Sequence, residues 1–200
     1  MHQIVKAGFV IGMAGFMATS AMAQSAVKQF PSGLKWETMD LIGFNYDYPG
    51  FEGTPNERKI ADAIWGSTIA GFPIRDGGQR WSAAIIQVTL ENNAQRFIFT
   101  SLDSASVVYP ECEDAINSKD PNTPIYTICP IRIIKQDKKT GQSTQAKYSG
   151  FCHIASNDGD QPKSRNYAQV AVSADGKTGY YRVVQYGKPA PECNRAFKLP

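Results

Sequence analysis

"AAIIQVTLENNAQRFIFT", residues 83–100, reads as two strands around a turn. Asparagine tolerates positive φ, so a turn centred on Asn92-Asn93 is expected, setting Val88 opposite Phe97 and Ile86 opposite Phe99. Those four side chains share one apolar face. Gln87, Thr89, Arg96 and Thr100 predominate on the other, which is the alternation of a half-buried antiparallel sheet.

The same pattern recurs downstream. In "IYTICPIRIIKQDKKTGQSTQAKYSGFCHIA", 125–155, a polar turn from Asp137 to Gln142 carries Gly141 where a left-handed residue is wanted. Pro130 has no N–H for a ladder, so this strand is expected to lie at an edge or to be broken there. In "NYAQVAVSADGKTGYYRVVQY", 166–186, Asp175-Gly176 is a hairpin turn that pairs Val170 with Tyr181 and Ala168 with Val183. One segment differs. "TPNERKIADAIWG", 54–66, reads as a helix with Thr54 as cap, Pro55 in its first turn, Glu57 completing a capping box and Gly66 as stop. Ile60, Ala61, Ile64 and Trp65 would form its buried stripe, and Arg58, Lys59 and Asp62 its wet face. The expected fold class is therefore α+β, mainly antiparallel β, a curved sheet or small sandwich of about six strands with this one amphipathic helix near 55–65.

The N-terminus, "MHQIVKAGFVIGMAGFMATSAMAQS", has one strong cation at Lys6, an apolar run from Ala7 to about Met17, and the triplet Ala21-Met22-Ala23. That is the layout of a Sec-type signal peptide cleaved after Ala23. Its apolar run is shorter than the ~20 residues of a membrane span, so no integral membrane segment is expected after cleavage. Residues 24–200 would remain as a single disulfide-stapled β-rich domain in the periplasm or outside the cell. The full chain has a net charge of +3, from which cleavage removes Lys6. So small a charge gives no electrostatic case for nucleic acid as a partner.

In an exported chain the four cysteines, Cys112, Cys129, Cys152 and Cys193, point to two disulfides. Neither a C-x-x-C pair nor spaced histidines are present to suggest zinc. If Lys138 to Gly141 form the second hairpin's loop, Cys129 falls opposite Gly150 and Cys152 opposite Thr127. The two sulfurs are then on diagonal neighbours about 7–8 Å apart, beyond the usual disulfide span of about 4.4–6.8 Å. A tighter turn on Thr140-Gly141 would bring them opposite, but it asks Thr140 for positive φ. The favoured pairing is Cys112 with Cys129 and Cys152 with Cys193.

Catalytic signatures are sparse. His153 is the only histidine beyond the leader, so any Ser-His or Cys-His chemistry would have to use it. A structural histidine is the simpler reading. Asn157, Asp158 and Asp160 around Gly159 offer oxygens but lack the further bidentate acid of a calcium loop, and an Asx turn explains them. In "YPECED", 109–114, Glu111, Glu113 and Asp114 would raise a neighbouring thiol's pKa rather than activate it. No cofactor fingerprint is present, and none is expected.

"GFNYDYPGF", 43–51, is more suggestive of binding. If extended, it aligns Phe44, Tyr46 and Tyr48 on one face, as a platform for a peptide or a glycan. The inner layer of the sheet is the simpler reading of that face, and Tyr180, Tyr181 and Tyr186 on the third hairpin pose the same choice. The reading that follows is an exported, non-enzymatic binding module, an inhibitor or immunity-type protein acting through protein–protein contact. An envelope-assembly or secretion-apparatus component is the alternative. A hydrolase using carboxylates near His153 comes third.

Overall fold

A turn closed by a side chain fixes the register of the first hairpin. In the computed structural model, which describes residues 24–43, 54–74, 78, 83–104, 108–114, 126–154 and 165–200, β4 (Ala84–Glu91) pairs with β5 (Gln95–Asp103). The carboxamide oxygen of Asn92 accepts from the backbone of Ala94 at 2.9 Å and of Gln95 at 2.7 Å. This Asx turn shifts the hairpin, so Val88 faces Phe99 and Leu90 faces Phe97. The expected pairs are therefore displaced by one side-chain repeat, while the expected inward set is kept. Neither asparagine has positive φ, because an Asx turn does not require it.

The other two hairpins have the expected loops. β7 (Thr127–Asp137) and β8 (Ser143–His153) meet at Asp137 and Gln142, and Gly141 has φ +72°. β9 (Tyr167–Val172) and β10 (Thr178–Gln185) pair Val170 with Tyr181 and Ala168 with Val183. β7 is an interior strand rather than an edge, with β8 along one side and β5 and the short β6 (Glu113–Asp114) along the other. The break at Pro130 is real: Ser149 and Gly150 stand against it as a bulge, with Gly150 at φ +77°. That extra residue moves Cys152 opposite Ile128 and not Thr127.

Six short strands complete two antiparallel sheets of six strands each among the described residues. Sheet I contains β3 (Asp40–Gly43), β4, β5, β6, β7 and β8; sheet II contains β1 (Gln24–Ala26), β2 (Glu37–Thr38), β9, β10, β11 (Lys188–Pro189) and β12 (Arg195–Lys198). The six strands read from the sequence are the six longest. Their partners run from two to four residues, too short for a period-2 pattern to register.

The sheets pack face to face. Phe99, Phe151, Ile131 and Ile133 of sheet I meet Val170, Tyr181, Val183 and Phe197 of sheet II in one buried cluster. Aromatic edges interlock there, with Phe151 5.4 Å from Phe197 and 5.1 Å from Tyr181 between ring centres. Gly179 makes room, since a Cβ there would stand 2.2 Å from the Phe197 ring. At one edge the chain steps from β2 to β3 through Met39, whose N–H still reaches Ala168 in sheet II. At the opposite edge the Gln24 carboxamide donates to Ser149 across the seam at 2.7 Å.

The helix, α1, covers the outer face of sheet I. Its start is as expected: Thr54 caps it and Glu57 closes the capping box. Gly66 does not stop it, and α1 runs Pro55–Ala70. The extra turn buries Ile69, and Phe72 follows it into a second core with Ala61, Trp65, Ile42, Ile85 and Leu102. Burying those two large side chains outweighs the roughly 1 kcal/mol cost of a helical glycine. Ile60 and Ile64 are only half-buried.

This covering also corrects the reading of the polar face as solvent-facing. Gln87 and Thr100 are fully buried. Gln87 donates to the Glu57 carbonyl at 3.2 Å, and the Trp65 indole N–H donates to the Thr100 hydroxyl at 2.9 Å. Arg132, beside Thr100 in the ladder, reaches the Ile64 carbonyl and stacks 3.9 Å above the Trp65 ring. Together these polar groups seat the helix.

Both favoured disulfides are present, Cys112 with Cys129 and Cys152 with Cys193, and no cysteine is free. The first lies beneath α1 in the second core. The second joins β8 of sheet I to a 3-10 turn, Pro191–Cys193, that leads into β12 of sheet II.

Candidate functional site

Alternation along β10 decides which tyrosine can meet a partner. Tyr181 and Val183 point into the core, so Tyr180 and Arg182 point outward from sheet II. Opposite Arg182 in the ladder stands Gln169 of β9, and beyond it Thr38 of β2. The segment before β2 turns at Gly33, with φ +78°, and lays Phe30 and Trp36 over this face. Phe30 sits 4.9 Å edge-on from Trp36 and 6.1 Å from Tyr180, ring centre to ring centre. Beneath them Ala171 is wholly buried.

Hydrogen bonds fix the polar part of this face. The Gln169 carboxamide donates to the Thr38 hydroxyl at 3.1 Å, which turns its oxygen toward Arg182. Arg182 Nε donates to that oxygen at 2.9 Å, and its guanidinium lies 4.1 Å from the centre of the Trp36 ring. The result is a half-buried set of Phe30, Trp36, Tyr180 and Arg182 on a face with no helix over it among the described residues. Aromatic anchors with a stacked arginine can hold a partner by apolar contact and by the guanidinium's directed N–H donors.

Of the residues singled out in the sequence, Tyr180 lies in this set. Tyr181 is a correction: it is 1 % exposed, and its hydroxyl donates to the Cys152 carbonyl inside the core. It presents no surface. Phe44, Tyr46 and Tyr48 lie outside the described residues, as do the leader and the acidic run at 156–161. Phe30 and Trp36 were not foreseen, because they sit in a stretch interrupted by Pro31 and Gly33 that shows no period. The one available signal is the short alternation of Leu34, Trp36 and Thr38.

The remaining candidates are accounted for locally. His153 is fully buried, and burial pushes its pKa down to about 3. Its Nδ1 lies 3.1 Å from the Ser101 hydroxyl, which itself donates to the Pro130 carbonyl at 2.9 Å. A nucleophile-base pair would need the serine proton aimed at the imidazole, and here it goes elsewhere. In YPECED, burial raises the Glu111 pKa, but bonds from Lys147 and the Tyr109 hydroxyl outweigh it and hold the carboxyl below its ordinary value. A carboxylate oxygen of Asp103 and the sulfurs of Cys112 and Cys129 lie within 4.8 Å of one another, yet the sulfurs are joined as a disulfide and offer no thiolates. Between the ends of the sheets is a cleft of about 370 Å³, floored by Leu90, Phe97 and Val172 and rimmed by Lys35 and Glu37.

No family model, characterised protein or solved structure matches the chain. No helix among the described residues is long and apolar enough to cross a membrane.

Proposed function

We propose that this is an exported, non-enzymatic binding protein, periplasmic or secreted, whose contact surface is the outer face of sheet II. One observation carries the reading: Phe30, Trp36, Tyr180 and Arg182 are held together, half-buried, on a face that α1 does not cover. Tryptophan, tyrosine and arginine are the residue types that dominate protein–protein contact energies. Two disulfides support it, since they suit an oxidising compartment and hold the scaffold rigid. An inhibitor or immunity-type role needs such a preorganised surface and no catalytic group. A glycan would want an open ring face, and Arg182 already occupies one face of Trp36. The hydrolase alternative depends on His153, whose burial and bonding leave it without a role at the surface.

A photo-crosslinking residue placed at Tyr180, in cells of the native organism, tests this. One stoichiometric protein adduct is expected from that position and none from the exposed Lys59 of α1. Trp36→Ala should weaken the trapped complex about tenfold or more, as loss of a central aromatic anchor does. Equal labelling from both positions would sink the proposal. Adducts confined to a multi-protein membrane complex would favour an envelope-assembly component instead.

A further inference from the structure

The charges of the described residues fall unevenly on the two sheets. Residues 24–38 and 165–200, which build sheet II, carry eight lysines and arginines against three acids, a net +5. The described residues between 39 and 154 carry eight against nine, a net −1. The described part of sheet I and its approaches is thus close to neutral, and the basic excess lies with sheet II, which bears the aromatic face. The ion pairs Arg96–Glu91, Lys138–Glu91 and Lys147–Glu111 all lie on sheet I and its approaches. On sheet II the guanidinium of Arg182 is engaged by an indole and a carboxamide, neither of which carries charge. Alternation along β12, where Phe197 points inward, places exposed Lys198 on the same outer face.

Resting on the reading of this face as a contact surface, we infer that its partner is a protein segment rich in aspartate and glutamate. The Thr38–Gln169–Arg182 chain fixes the plane of the guanidinium before anything binds. A planar fork held in this way suits a carboxylate, which it meets with paired N–H donors. Lys198 adds positive potential that steers an acidic surface toward the aromatic anchors.

Immobilised poly-glutamate is the probe, with the protein as processed by the cell and full-length poly-lysine as control. Retention on poly-glutamate alone is expected, weakening as salt rises. Lys198→Glu, at an exposed position, and Arg182→Glu should together weaken it about tenfold. Lys198→Glu alone should show part of the loss if Arg182→Glu impairs folding. Wild-type retention by the double variant overturns the inference, as does retention on poly-lysine. Tighter binding to phosphatidylglycerol vesicles than to poly-glutamate overturns it in favour of a lipid surface. Self-association abolished by the same substitutions overturns it in favour of a second copy of the chain. A single crosslinked partner at Tyr180 together with no poly-glutamate retention would reject the acidic partner while leaving the contact face intact.

Discussion

His153 makes the stability of the fold depend on pH below neutrality. Its imidazole is neutral when folded, with a pKa of about 3, and takes a proton near pH 6.5 when unfolded. Below about pH 6.5 the unfolded chain therefore binds more protons. Stability present above that pH is lost as pH falls toward 3, by up to about 1.4 kcal/mol per pH unit. Urea unfolding measured at pH 7 and pH 4.5 should show this loss. His153→Gln keeps a donor for Ser101 and should flatten the difference, even if it lowers stability at both values. The chain sequence marks His153 as solitary but cannot say that it is buried. Burial comes from packing between β7, β8 and β5 that no local pattern encodes.

At the scale of elements, α1 shows where local rules yield to packing. Gly66 carries the ordinary signal for a helix end, but Ile69 and Phe72 gain a core only if the helix continues. A methyl at Gly66 would meet chiefly the Asp62 carboxylate oxygen, 2.7 Å away at the tip of an exposed, rotatable side chain. Gly66→Ala should therefore raise stability by about 0.5–1 kcal/mol, seen as a higher thermal midpoint. The hairpins were legible because turn residues and period-2 alternation agree within each segment. Asn92 misled by one step, since its side chain made a turn that its backbone was expected to make. The buried row of Gln87 and Thr100 was illegible for another reason. A polar residue whose hydrogen bonds go to a distant helix has the same sequence appearance as one bonded to water. For the candidate site, Tyr180 could be read from its hairpin, whereas Phe30 and Trp36 gain meaning only when folded against it.

For the whole molecule, the two disulfides do different work. Cys112–Cys129 spans 17 residues and holds a loop to the helix-covered face; Cys152–Cys193 spans 41 and joins the sheets. By loop entropy they contribute about 3 and about 4 kcal/mol respectively. Replacing Cys152 and Cys193 by alanine should thus lower unfolding stability by the larger amount. It should also speed hydrogen exchange in both sheets, whereas removing Cys112–Cys129 should speed it chiefly in α1 and β6. Peptide maps of the non-reduced protein check the pairing directly, and a Cys129–Cys152 peptide would contradict it. The sequence favoured this pairing by excluding an alternative. It could not foresee which strands that bond would join, because β12, into which Cys193 leads, is too short to show a period.

Met39 gives the sandwich a mechanical character. It passes the chain from one sheet to the other with no loop between, while Cys152–Cys193 clamps the far edge. Sliding one sheet past the other by a single residue would take about 3.3 Å of slack. Neither a one-residue tether nor a disulfide can supply it. The sheets therefore resist shear as one body, and a load applied at Trp36 is carried across the sandwich to α1 rather than absorbed where it arrives.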